Sequence, residues 1–306
     1  MNSHFHNHHA GRRKFIFNTL KASGAVAFVT MPGITIAADF YKTKKEYTVQ
    51  DVIDIILKEI PGSPLSQTVD TIKSGSANNK VTGIVTTMFA TIEVINATAK
   101  SGANFIIAHE PTFYNHEDDI NYVPGNAIVK QKQLLLQKHN ITVWRFHDYW
   151  HRYKPDGIGY GVLKKTGWLS YYEPEKIILK IPPTSLGGIA QHLKSTLGIE
   201  HLRVIGEPTQ QCERIALLPG AGGGKMQISI VEKEKPDVLV VGEVHEWETA
   251  EYIRDGLALG SKTSLIVLGH SVSEEPGMEW LVEWLQPKIP ELSIHHVGSG
   301  NPFAWV

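Results

Sequence analysis

The chain has 306 residues, 42% of them hydrophobic and 20% charged, an ordinary globular composition with length for one large or two modest domains. The 30 Lys+Arg and 31 Asp+Glu leave a formal net charge of −1, which excludes bulk electrostatic attraction to nucleic acid or to an acidic membrane. Cys212 is the only cysteine, so an intramolecular disulfide and a cysteine-based metal cluster are both excluded, and any metal must be held by nitrogen and oxygen.

The first element in the chain is a targeting segment. Arg12-Arg13 precede Phe15-Ile16-Phe17, then a weakly apolar stretch runs from Ala22 to Ile36 and small residues close it at Ala37-Ala38. Basic, apolar, small is the order of a cleaved export signal. The paired arginines resemble a twin-arginine signal, the type that carries folded proteins. The expectation is an export signal over 1–38 and a mature chain over 39–306, periplasmic or extracellular and without a membrane span. The four histidines of the first nine residues are assigned no role.

The mature chain alternates helix and strand. Val52-Ile53 and Ile55-Ile56-Leu57 form a helical face that Pro61-Gly62 stops. Residues 80–87 read as a β-branched strand, 92–100 as a helix with Gly102 beyond it, and 104–108 as a short buried strand. Strand, helix, strand in so short a span predicts a βαβ unit and a parallel sheet. A helix over 127–138 and a strand over 142–146 continue the pattern. In the second half, strands are expected at 176–181, 214–218, 238–241 and 264–268, with helices over 185–197 and 245–256. The fold class is therefore α/β, in two lobes with largely parallel or mixed sheets, split near 155–175 in a turn-rich stretch.

The chemistry follows the strands. In parallel α/β sheets, ligands bind beyond the carboxyl ends of strands. The strand at 104–108 runs into His109-Glu110-Pro111. The next runs into His147, with His151 four residues on. The strand at 264–268 runs into Gly269-His270, with Glu274 four residues on. The strand at 238–241 runs into Gly242-Glu243, with His245 close behind. One histidine after one strand is most simply a hydrogen-bonded core or surface residue. Four such coincidences at one sheet edge point to a metal centre between the lobes. The expected ligands are His109, Glu110, His151, His270 and Glu274. Imidazole and carboxylate suit divalent zinc, iron, manganese, cobalt or nickel. Three imidazoles and two carboxylates suffice for two ions if one carboxylate bridges, and ions about 3.5–4 Å apart activate water for hydrolysis. Glu243 and His245 are the candidate catalytic groups, as orienters of the ligands or proton carriers.

These residues resemble the Ngg-interacting-factor-three-like dinuclear metal-centre family, often labelled type-two GTP cyclohydrolase I. The resemblance runs from about Asp51 to Phe303. Where that family ends a buried strand in His-His-Pro, this chain has His109-Glu110-Pro111. Where the family has His, three residues and Asp, this chain has His147 and His151. Gly242-Glu243 and Gly269-His270-Ser271-Val272-Ser273-Glu274 match two further motifs, and Gly220-Ala221-Gly222-Gly223 matches a glycine-rich turn. The departures at Glu110 and His151 compensate: the ligand set keeps its composition and a formal charge of −2.

The resemblance implies a homo-hexamer and a purine nucleotide ring opened by water. Export places the chain where GTP is scarce, so a phosphoester, a cyclic amide or a modified nucleotide stands equally open. The expected function is a metal-dependent hydrolase acting on a small molecule through metal-activated water. The alternative is a non-catalytic metal-binding or interaction scaffold. The run Gly220–Gly224 lacks the Lys-Ser/Thr of a P-loop and is expected to be a tight turn rather than a phosphate cradle. Phe113, Tyr114, Tyr149, Trp150 and Trp247 beside the proposed ligands fit a substrate pocket or the core equally well. His295-His296 stand close enough in sequence to a strand end to approach the site.

Overall fold

The computed structural model describes residues 45–304 and 306. The expected export signal at 1–38 lies outside the described residues. Among the described residues no helix is long and apolar enough to cross a membrane.

The first half of the chain forms α1 (Val49–Leu57), β1 (Ile72–Ser74), β2 (Ile84–Thr87), α2 (Ile92–Ser101), β3 (Phe105–Ala108), α3 (Ala127–Lys138), β4 (Thr142–Arg145), α4 (Asp148–Arg152) and α5 (Gly157–Lys165). The second half forms β5 (Ile178–Ser185), α6 (Leu186–Leu197), β6 (Arg203–Ile205), β7 (Gln211–Leu218), α7 (Gly224–Glu234), β8 (Val238–Val241), α8 (Glu251–Ala258), β9 (Ser264–Val267), α9 (His270–Leu285) and β10 (Ile294–His296). The helix expected from His245 starts differently: Glu246–Ala250 is a π-helical turn, and α-helical geometry begins at Glu251.

Local sequence explains several boundaries. Thr48 and Asp51 close a capping box at the start of α1, each side chain meeting the other's backbone N–H. The Asn126 side chain accepts from the first free N–H groups of α3. The central strands have no polar face: Phe105–Ala108 and Val238–Val241 are buried throughout. That pattern demands cover on both faces of a sheet.

The strands make two five-stranded sheets, ordered β1-β4-β3-β2-β10 and β5-β7-β8-β9-β6. In the first, β10, β2, β3 and β4 are parallel and β1 is an antiparallel edge. In the second, β7, β8 and β9 are parallel between antiparallel β5 and β6. The α/β class with mixed sheets is thus the class found. Ile84, Phe105 and Trp144 of the first sheet pack with Val52 and Ile56 of α1 and with Met278 and Leu281 of α9. Val85, Ile106 and Val143 pack on the other face with Ile95 of α2 and Leu136 of α3. The second sheet buries Ile215 and Val240 with Leu186 and Leu193 of α6. Its other face buries Leu239 and Leu265 with Val231 of α7 and Ile253 of α8.

The chain passes between the sheets twice. It leaves the first after α5 and returns through α9, which starts at the end of β9 and packs on the first sheet before β10 joins that sheet's edge. The passage near 155–175 is therefore one of two, and the second carries His270 and Glu274. α9 crosses α5 at a pair of glycines. A Cβ on Gly161 would stand 2.5 Å from Gly277 Cα, and one on Gly277 would stand 2.6 Å from Ile158 Cα. The Trp150 indole N–H donates to Gly277 O at 3.2 Å and ties α4 to the same crossing.

This crossing sets the distance between α5 and α9, the helix that begins at His270 and carries Glu274. Gly161→Ala is expected to cost about 1–3 kcal/mol by forcing backbones apart, and to weaken metal binding through α9. Urea unfolding measures the first and metal titration the second. An unchanged urea midpoint would show that the crossing relaxes freely.

Candidate metal centre

Parallel register brings the strand ends level. Thr87, Ala108 and Arg145 pair across the first sheet, so His109 and His147 emerge side by side. Leu218, Val241 and Val267 pair across the second, so Gly220, Glu243 and His270 emerge together.

His147 and His151 sit one turn apart at α4, a helix of five residues. So short a helix does not hold itself. Asp70, buried and far upstream, supplies the anchor. Its carboxylate accepts from the backbone N–H groups of His147 at 2.8 Å, Asp148 at 3.1 Å and Tyr149 at 2.8 Å. Burial pushes the Asp70 carboxyl up, against the pull of those three bonds.

The imidazoles gather tightly. His109 stacks on His147 with ring centroids 4.7 Å apart, and His151 lies 5.0 Å from His109 and 4.8 Å from His147. Each ring turns its Nδ1 toward an acceptor. His109 Nδ1 faces Phe146 O at 3.1 Å, His147 Nδ1 faces Asp148 at 2.9 Å, and His151 Nδ1 faces Asp156 at 2.8 Å. His270 Nδ1 faces Glu243 Oε2 at 3.3 Å. A proton on Nδ1 leaves Nε2 with its lone pair, which is how metal-binding histidines are commonly set.

The Nε2 atoms meet the carboxylates. His270 Nε2 lies 3.2 Å from Glu110 Oε1 and 3.2 Å from Glu274 Oε2. His147 Nε2 lies 3.9 Å from Glu110 Oε1, and His109 Nε2 lies 3.9 Å from Glu274 Oε2. His109 Nε2 is buried and has no hydrogen-bond partner. A buried ring nitrogen aimed at carboxylates and left unpaired fits a metal ion, since an orphaned buried polar atom is otherwise costly. Two donor groups each gather within 4.8 Å: His109, His147 and His151, and His109, Glu110 and Glu274.

Protonation follows the geometry. Burial, with the nearby His151 and His147, holds His109 well below the usual histidine range, so its imidazole is neutral. Burial pushes Glu110 up, but its bond to His270 and the histidines gathered around it bring it down to about 2. Burial also pushes His270 down, but Glu110, Glu243 and Glu274 outweigh it and push it up to about 12.

Buried Arg145 holds the loop that carries Glu110. Its Nε donates to His109 O at 3.2 Å, its Nη1 to His116 O, and its Nη2 to Glu110 Oε2 at 3.4 Å. The bond to Oε2 leaves Glu110 Oε1 for the cluster. On the opposite side, Gly220 has φ +70, and a Cβ there would stand 2.1 Å from Glu274 Oε1. The glycine run is thus a turn that makes room for a carboxylate, and its N–H at Gly220 donates to Ser273 Oγ at 2.9 Å.

All five residues expected as ligands converge, and His147 joins them. The sequence put His147 at a strand end but gave only its neighbour His151 a ligand role. Glu243 meets the cluster by holding His270. The structure does not bring His245 there: its side chain is 60% exposed and its Nδ1 faces Glu248. His296 faces Thr86 and Glu275 rather than the cluster. Phe113, Tyr149 and Trp150 are core residues, while Tyr114 and Trp247 are exposed. A cleft of about 660 Å³ opens from the cluster, walled at that end by Glu110, His116, His147, His151, His270 and Glu274. Sequence reasoning missed Asp70, Asp156, Arg145 and His116. Asp156 carries a signal in retrospect, five residues after His151 and just before a helix.

The family model described as Duf34/NIF3 (NGG1p interacting factor 3) matches residues 48–302. A GTP cyclohydrolase 1 type 2 homolog of Clostridium perfringens is 23% identical over 245 residues, covering 74% of this chain and 87% of its own length. Another from Clostridium acetobutylicum is 22% identical over 272 residues, covering 83% and 93%. Among solved structures, protein SA1388 of Staphylococcus aureus superposes with a TM-score of 0.67 at 18% identity, covering 85% of this chain and 99% of its own. Reduced HcgD from Methanocaldococcus jannaschii gives 0.62 at 17%, covering 82% and 98%. At these identities the structural likeness speaks for the fold.

Two outcomes follow from the geometry. Asp70→Asn keeps the size of the cap but loses one acceptor, and is expected to lower metal affinity about tenfold, at the low end for residues that orient ligands. Metal titration followed by calorimetry checks it, with circular dichroism to confirm the fold. The second concerns pH. With its pKa raised, His270 carries a proton at neutral pH in metal-free protein and must lose it to become a ligand. Loading should release at least one proton there, so affinity should weaken about tenfold for each pH unit lost. Calorimetry in buffers of different ionisation enthalpy counts that proton, and a count of zero would contradict the assignment of His270.

Proposed function

We propose that this chain, which belongs to the Duf34/NIF3 (NGG1p interacting factor 3) family, is a hydrolase whose centre holds two divalent ions. The observation that carries this reading is the convergence of four imidazoles and two carboxylates, one ring nitrogen unpaired, at the head of an open cleft. A structural ion is closed off by its ligands, whereas a catalytic one keeps a position open to substrate. Zinc, iron, manganese, cobalt and nickel all suit this donor set.

When bound, such ions polarise a substrate oxygen and make water acidic near neutral pH. The chain's own residues arrange the rest. Asp156, Asp148 and Glu243 fix the rings of His151, His147 and His270. Arg145 fixes Glu110. His116 lies exposed on the cleft wall with its ring edge-on to His147, at a centroid distance of 6.2 Å. An imidazole so placed passes a proton between cleft and solvent. Hydrolysis breaks the bond between an acyl or phosphoryl atom and its leaving group. Water gives its oxygen to the first and a proton to the second.

Elemental analysis of purified protein tests the centre. Wild type is expected to carry two equivalents of divalent metal, and a His109→Ala, Glu274→Ala double variant less than half an equivalent. Metal-stripped protein should stay folded, lose hydrolysis of p-nitrophenyl acetate and p-nitrophenyl phosphate, and recover it when metal returns. Stoichiometric metal with no turnover across a broad ester, amide and phosphoester panel would favour a binding scaffold instead. His116→Ala is expected to keep its metal and to lose about tenfold to a hundredfold in kcat, the lower range for a proton carrier. An unchanged kcat would dismiss the residue from that role.

A further inference from the structure

The cleft has two chemically different ends. The donor cluster occupies one. Beyond it the wall is largely apolar: Ile158 of α5, Leu179 of β5, Leu217 and Pro219 at the end of β7, and Met226 in the first turn of α7, with Tyr160 and Tyr172 among them. Met226 is 54% exposed, and Ile177, elsewhere on the cleft wall, is 37% exposed. Met226 and Ile177 are open to solvent beside the cluster, whereas Ile158 and Leu179 line the cleft as buried residues of the core. Among the described residues Lys176 is the one lysine in this wall and no arginine joins it, and its Nζ is already paired with Glu173.

That division selects among substrates. An anionic oxygen at the head meets metal. A second or third phosphate would lie along Leu217 and Met226, partly desolvated and without a cation of its own, which is costly. An uncharged ring in the same place would bury apolar surface and gain from it. Methionine, unbranched and polarisable, adapts to such a ring. A volume of about 660 Å³ is that of a small-molecule site rather than a polymer groove.

We propose, resting on the metal-centre reading, that the substrate has two parts: one acyl or phosphoryl head that meets the metal, and an uncharged apolar body the size of one or two rings that lies on Leu217, Pro219 and Met226. The site is thereby selective against polyphosphates.

The test uses zinc-loaded full-length protein and two probes that share a metal-binding head. Acetohydroxamate carries a methyl group and benzohydroxamate a phenyl ring. Calorimetry is expected to show benzohydroxamate binding about tenfold tighter or more, from burial of the ring. Met226→Glu should narrow the difference to less than about threefold and leave acetohydroxamate unchanged, since only the ring reaches that wall. Leu217→Asp should do the same from the deeper wall. Should that variant fail to fold, Met226→Glu, at an exposed helical position, carries the test. Equal affinity of the two probes for wild type overturns the proposal, as does GTP binding more tightly than benzohydroxamate. Failure of both hydroxamates to bind overturns the metal-centre reading and this proposal with it.

Discussion

Three histidine rings crowded against one another, with His270 joined to them through Glu110 and Glu274, are stable in one arrangement only if each ring has its Nδ1 proton engaged elsewhere. That constraint organises the site. Phe146 O, Asp148, Asp156 and Glu243 take the four Nδ1 positions. The Nε2 atoms are then the remaining ring nitrogens, and those of His109, His147 and His270 turn toward Glu110 and Glu274. The acceptors come from both sheets, so the cluster exists only when the lobes are docked. Asp70 and Arg145 serve the same end at the backbone, one by holding a short helix and the other by holding a loop.

The two departures from the family's motif make sense in that frame. Glu110 stands where a second histidine is usual, and Arg145 meets one of its oxygens while the other faces His270. His151 stands where an aspartate is usual, and Asp156 supplies a carboxylate behind it. Each departure thus leaves a carboxylate in contact with the cluster.

Much of this was legible because the signals are local. Short apolar runs such as Phe105–Ala108 and Val238–Val241, each followed by His or Glu, declare both a parallel sheet and its functional edge. What escaped depends on distance. Asp70 reaches the backbone of Tyr149 across 79 residues, and nothing in the sequence near either residue announces it. Arg145 reads as a misplaced charge in a strand until the loop above it is seen. α9 hides its periodicity behind Pro276, Gly277 and buried Ser273 and Glu274, since it serves the site at one end and the core at the other. His245 shows the opposite error: the strand-end rule brought it in, but the π-helical turn that follows leaves it facing solvent.

One consequence of the double passage between lobes concerns the unfolded chain. Glu110 and His270 are 160 residues apart in sequence and 3.2 Å apart in space. An ion joining ligands on the two sides would close a loop of that length, in a chain whose single cysteine can make no such closure within itself. Such an ion binds the folded chain, where its ligands are gathered, and not the unfolded one, so its binding free energy adds to the stability of the fold. Metal here would thus act as a removable staple. Its removal would lower the stability of the fold by the free energy with which it binds.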